Sequence, residues 1–159
     1  MTKQELSYIA GFLDGDGCVM LQLVYRHDYV LGYQIRASIV FYQNSRYKLH
    51  LKWLRSKFKY GYIRERNDGM SEYTIVGFDY VVNILKFLYP YLKLKRPQAD
   101  LVMEIYKMMP KKHSRMDPKH LLKLAKEVDK FSKLNYSKKR TNTSVQVKSF
   151  LKSHNLLIP

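Results

Sequence analysis

The densest chemistry in the chain is Asp14-Gly15-Asp16-Gly17, two carboxylates alternating with two glycines. Carboxylate oxygens are hard donors that suit a divalent cation such as magnesium, and a bound cation of that kind can activate water. Gly15 and Gly17 make continuation of a helix unfavourable and allow positive φ, so Asp16 is expected at the lower end of a helix rather than along its flank. Taken alone, such a run reads as a helix end whose aspartates face water. The whole run from Ile9 to Gly17 changes the reading.

The run lies on a helix with a legible start. Thr2 and Glu5 stand at the spacing of a capping box, in which hydroxyl and carboxylate satisfy free amides of the first turn. Leu6, Ile9, Ala10 and Leu13 follow at i, i+3, i+4 and i+7, one apolar stripe for the chain's own core. The opposite side carries Tyr8, Gly11, Phe12 and Gly15, and glycines four residues apart remove side chains where another helix could approach closely. A helix apolar on both sides must be buried on both sides.

Beyond the motif the hydrophobic period alternates between strand and helix. Residues 18 to 26 read as a strand, and residues 33 to 42 as a second, with Tyr33, Ile35, Ala37, Ile39 and Phe41 on one face and Gln34, Arg36, Ser38, Val40 and Tyr42 on the other. A helix bearing Leu49, Leu51, Trp53, Leu54 and Phe58 comes next, then a hairpin from about Tyr60 to Val76 that turns at Asn67-Asp68-Gly69. Asp79 is placed to cap a helix through Leu88, Pro97 suits the first turn of another, and Asp117-Pro118 opens a third with Leu121, Leu122, Leu124, Ala125, Val128 and Phe131 inward. A short terminal helix is expected from about Thr143 to Ser153. One domain spans 1–159, with a core over about 1–109 and a helical extension over about 110–159.

Composition points to a polyanionic partner. Lys and Arg number 29 against 13 Asp and Glu, a formal charge of +16, and 14 tyrosines accompany basic residues spread over several elements. No apolar run reaches the roughly 20 residues that span a bilayer, no secretory signal is visible, and the single Cys18 forms neither an internal disulfide nor a zinc finger. The expectation is an intracellular protein that binds nucleic acid and no membrane. Polar strand faces supply candidates for base contacts in a groove: Gln22, Arg26, Gln34, Arg36, Ser38, Tyr42, Arg64, Arg66, Glu72 and Thr74. Lys48, Lys111, Lys112, Lys138, Lys139 and Arg140 are candidates for phosphate contacts.

The run Ile9-Ala10-Gly11-Phe12-Leu13-Asp14-Gly15-Asp16-Gly17 resembles the LAGLIDADG motif of homing endonucleases nearly position by position. The element order resembles the α+β, αββαββα core of that fold, with an antiparallel saddle-shaped DNA-binding sheet and additional C-terminal helices. Because the motif occurs once, the chain is most similar to the short members that act as homodimers. The resemblance implies an intron-encoded, site-specific endonuclease that makes a magnesium-dependent double-strand break, with short 3′ overhangs, at a pseudo-palindrome of about 20 bp. Asp16 and the backbone carbonyl of Gly15 would hold Mg2+ or Mn2+, and Ca2+ could occupy the site without supporting cleavage. Tyr8, Gly11, Phe12 and Gly15 would form the dimer interface, while Asp14 would serve that interface or the helix end. The family's glutamine and lysine near the scissile phosphates match Gln43 and Lys95, and its further basic residue falls at Arg46 or Tyr47. A maturase acting on intron RNA and a noncatalytic DNA-binding regulator are alternatives on the same fold. The host compartment, an organelle or a microbial cytoplasm, is left open.

Overall fold

Folding of the first helix begins at Thr2, whose Oγ1 accepts from the Glu5 amide at 3.2 Å while Glu5 Oε2 accepts from the Thr2 amide at 2.9 Å. This reciprocal cap starts α1 (Lys3–Asp16), and the expected stripe buries Ile9, Ala10 and Leu13 completely. The computed structural model describes residues 1–111, 114–135 and 140–157. The remaining elements are β1 (Gly17–Tyr25), β2 (Tyr33–Asn44), α2 (Lys48–Phe58), β3 (Tyr62–Glu65), β4 (Met70–Val76), α3 (Phe78–Leu88), α4 (Arg96–Met108), α5 (Pro118–Asp129) and α6 (Ser144–Ser153). Short 3-10 turns at Ser45–Tyr47, Tyr89–Tyr91 and Lys130–Lys133 complete the order. Among the described residues no helix is long and apolar enough to cross a membrane.

The four strands form one sheet in the order β1-β2-β4-β3. β4 runs antiparallel to both its neighbours, pairing Ser38 with Val76, Tyr42 with Glu72 and Gln43 with Ser71 on one side, and Tyr62 with Thr74 and Arg64 with Glu72 on the other. The β3–β4 hairpin turns where expected. Gly69 adopts φ +79°, a conformation costly for any side chain, and the Arg66 amide closes the loop on the Met70 carbonyl at 2.7 Å.

The chain divides into two compact units, one of Met1–Met20 with Ala37–Asp100 and the other of Leu21–Arg36 with Leu101–Pro159. The expected extension from about residue 110 is therefore part of a unit that starts at Leu101 and takes in residues 21–36. The first unit packs Ile9 and Leu13 of α1 with Ile39, Phe41, Leu51, Leu54, Tyr73, Ile75, Leu85 and Leu88, and Phe12 stacks on Phe41 at 5.6 Å. The second buries Leu21, Val102, Ile105, Leu121, Leu124, Val128, Phe131, Val147 and Leu151. Within it, carbonyls of the edge strand are covered: Arg140 donates to the Leu21 oxygen at 2.6 Å and Asn142 to the Leu23 oxygen at 3.0 Å.

Two local expectations are corrected. Helix α1 runs through Gly15 to Asp16, and Gly17 closes it with an extended backbone, φ −104°, so neither motif glycine supplies a positive φ. Asp79 does not cap α3; the cap lies two residues earlier, at Gly77, and Asp79 lies in the first turn, where its charge favours the helix dipole. Asp117 opens α5 as the sequence suggests, accepting from the His120 amide at 3.0 Å, and the expected terminal helix forms as α6 with Thr143 as its cap.

Candidate active site and nucleic-acid interface

The end of α1 meets the end of β2. Gln43 lies on the same face of β2 as Ile39 and Phe41, the face that packs against α1, and by the last rungs of the strand that face has become polar. The meeting forms a cleft of about 490 Å³ lined by Gly15, Asp16, Gly17, Tyr42, Gln43, Asn44 and Met70. Asp16 is exposed and Gln43 half-buried, its Oε1 accepting from the Asn44 amide at 2.8 Å. Tyr42 is pushed up from the usual tyrosine range, first by burial and then by the nearby Cys18 and Glu72. The sequence placed Tyr42 on the groove-facing strand surface; its membership of this cleft depends on the β2 end meeting α1 and has no local signature.

The two aspartates of the motif are separated in environment. Asp14 is buried, and its carboxylate accepts three successive amides: Lys93 at 2.7 Å and Leu94 at 3.2 Å on Oδ2, and Lys95 at 2.9 Å on Oδ1. The Lys95 ammonium returns to the backbone carbonyl of Asp14 at 2.6 Å. A cation at the C-terminal end of α1 also meets the negative end of the helix dipole. Asp14 thus serves the helix end, the second of its two expected roles.

Asp16 offers an oxygen donor beside the Gly15 carbonyl, one of the last carbonyls of α1, where helix geometry provides no following amide partners. An exposed carboxylate with backbone oxygen suits a hard divalent cation, so the residues present fit magnesium. Among the described residues no three His, Cys, Asp or Glu side chains group as a metal cluster. The cleft therefore offers one side-chain carboxylate per chain.

On the other face of β2, β4 and β3, the first unit presents a row of Tyr42, Glu72 and Arg64. Arg64 is exposed and paired with Glu72 at 2.9 Å; Arg66 is paired with Asp68 at 2.6 Å, and Arg46 stands exposed in the 3-10 turn after β2. Lys48 pairs with Glu65 at 2.7 Å. Ser38 and Thr74, expected as contacts, are 2% and 7% exposed. Their side chains are short, and Thr74 stands between the larger Val40 and Tyr62, so they are corrected to packing positions.

In the second unit Arg36 donates to Gln22 at 3.0 Å, Gln34 is half-buried, and Arg26 makes a bidentate pair with Asp28 at 2.9 and 2.8 Å. Lys111 is exposed. Arg140 is corrected from a phosphate contact to a clamp, because its Nη1 donates to the Val128 carbonyl and its Nη2 to the Leu21 carbonyl. Burial lowers its pKa, and the charge of Asp129 opposes that shift. Lys112, Lys138 and Lys139 lie outside the described residues.

The second face of α1 is open in the protomer. A methyl group at Gly11 or Gly15 would meet nothing within 4 Å, Tyr8 is 55% exposed, and Phe12 is half-buried. The flank of α2 continues this surface: His50 stacks on Trp53 at 5.2 Å, and Tyr8 reaches the His50 ring at 3.3 Å. Trp53 lies at this rim, half-buried, and Leu49 is 72% exposed.

Comparison with known proteins gives the same motif a family. The model of the LAGLIDADG endonucleases matches residues 9–99. DNA endonuclease I-CvuI of Chlorella vulgaris is 40% identical over 93% of this chain and 90% of its own length. DNA endonuclease I-CreI of Chlamydomonas reinhardtii is 33% identical over 95% of this chain and 91% of its own length. A crystal structure of I-CvuI in complex with its target in the presence of Ca superposes with a TM-score of 0.89, at 38% identity, covering 98% of this chain and 97% of that one. A motif helix ending at an oxygen-lined cleft, an antiparallel sheet behind it and likeness along nearly the whole chain have one common source: the chain belongs to the LAGLIDADG endonuclease family.

Proposed function

We propose that this chain is a site-specific DNA homing endonuclease that makes a magnesium-dependent double-strand break with short 3′ overhangs at a long pseudo-palindromic intron-insertion site. The observation that carries the reading is the cleft in which Gly15, Asp16 and Gln43 meet, in a chain 40% identical to a DNA endonuclease. Asp16 and the Gly15 carbonyl would hold the cation. When bound, magnesium lowers the pKa of a coordinated water and neutralises phosphate charge. Gln43 orients water through its carboxamide, and the Lys95 ammonium stabilises negative charge developing on the phosphate oxygens. Arg64, Arg66, Glu72, Tyr42, Gln22, Gln34, Arg36 and Arg26 read the groove, with Arg46 and Lys111 on the phosphates.

Two strands need two reactions, and each chain places one Asp16 in the cleft. Pairing α1 helices through Tyr8, Gly11, Phe12 and Gly15 around a two-fold axis supplies the second copy and sets two half-sites over about 20 bp.

Selection of cleaved molecules from a randomised duplex library, with magnesium present, tests activity and site symmetry together. A symmetric consensus is the expected result, and Asp16→Asn should lower cleavage about 100-fold or more while binding persists, the scale on which loss of one electrostatic stabiliser is felt. Absence of cleaved product from the wild-type protein would overturn the function, and unchanged cleavage by Asp16→Asn would overturn the site.

A further inference from the structure

Asp14 is buried at the last turn of α1, and its partners lie 79 to 81 residues further along the chain. A carboxylate that accepts three consecutive amides defines the path of the backbone that carries them, here residues 93–95 immediately before α4. The same segment carries Lys95, whose ammonium lands on the Asp14 carbonyl at 2.6 Å. Two linked contacts therefore join one residue of the motif to both ends of the lysine, main chain and side chain.

We propose that Asp14 is a positioning residue for Lys95: its carboxylate holds the 93–95 backbone so that the ammonium is delivered to the end of α1 beside Asp16. The inference rests on the endonuclease reading above and assigns Asp14 no contact with DNA or metal. Both oxygens are required. Asparagine has one acceptor oxygen and replaces the other with an NH2 group that faces an N–H donor, so at least one of the three amides loses its partner. The backbone can then shift, and Lys95 shifts with it.

The test is a double-mutant cycle in the full-length protein, with Asp14→Asn, Lys95→Met and the double variant assayed for single-turnover cleavage in magnesium and for DNA affinity in calcium. Asp14→Asn is expected to slow cleavage by about 10- to 100-fold, the cost of misplacing a reacting group by about 1 Å, with affinity unchanged. In the Lys95→Met background the same substitution should cost little further. Amide hydrogen exchange supplies a readout independent of cleavage: protection at Lys93, Leu94 and Lys95 should fall in Asp14→Asn and persist in Asp14→Glu, which keeps both oxygens and guards against loss of the fold. A full, additive loss in the Lys95→Met background overturns the positioning role and makes Asp14 act on the reaction directly. Equal loss of cleavage and affinity, or intact protection at 93–95, overturns it as well. A wild-type protein that binds DNA without cutting removes the endonuclease reading itself, while the exchange data still report whether the carboxylate holds the segment.

Discussion

Gly17 sits between the motif's carboxylate and the first strand with φ −104°, a backbone any residue adopts, so its requirement is steric. A Cβ there would lie 2.6 Å from Leu13 Cδ1 and 2.8 Å from both the Leu13 Cα and its carbonyl oxygen. Leu13 is completely buried, which leaves its side chain little room to yield, and the two clashes with main-chain atoms cannot be relieved by a rotamer change. Gly17→Ala is expected to cost about 1–3 kcal/mol, the range for overpacking a tight site, read as a lower urea midpoint at unchanged slope. A neutral result would show that α1 and β1 separate freely at their junction. The neighbouring aspartates divide for a related reason: two positions apart on a helix they point about 200° from each other, so one enters the core side and one the cleft. That divergence is implicit in the spacing, whereas the acceptor role of Asp14 is not, because its donors come from a distant segment.

The aromatic flank shared by α1 and α2 carries a titratable group. The His50 ring stacks on Trp53, meets Phe12 edge-on at 5.0 Å and Tyr8 at 5.5 Å, and burial lowers its pKa from the usual 6.5. A depressed histidine favours the neutral folded form, so its contribution to stability is present above the unfolded value of 6.5 and is lost as pH falls through the lower folded value. The urea midpoint should therefore decline on acidification from about pH 7.5 to about pH 5, and the decline should be smaller in His50→Gln. Equal slopes for the two proteins would assign the pH dependence elsewhere. At this scale much was legible: β2 and α5 announce themselves by period and cap, and the hairpin by Asn67-Asp68-Gly69. Strand alternation gives the face of Ser38 and Thr74 but not the bulk of Val40 and Tyr62 on neighbouring strands, which shade Thr74. Residue type suggests phosphate for Arg140; its actual partner, the Leu21 carbonyl, lies 119 residues away, beyond any local pattern.

At the level of the assembled protein, a charge of +16 on each chain opposes self-association, so a homodimer must gain enough from its contact to overcome that repulsion. The proposed contact uses the face of α1 on which Gly11 and Gly15 meet nothing within 4 Å in the protomer. Gly11→Ala separates protomer from dimer by opposite signs. In the isolated chain alanine stabilises a helix by about 0.5–1 kcal/mol relative to glycine, and no neighbouring atom objects. In a two-fold contact each copy presents the same added methyl group to the other helix, at an overpacking cost of about 1–3 kcal/mol for each site. The variant should unfold at a higher urea concentration when dilute, yet its dimer dissociation constant should rise at least about tenfold in sedimentation velocity. Double-strand cleavage should then depend more steeply on protein concentration, with single-strand nicking favoured at low concentration because each chain brings one Asp16. A dimer as tight as the wild type would move the two-fold contact off this face of α1, and with it the means by which two copies of Asp16 are brought to one site.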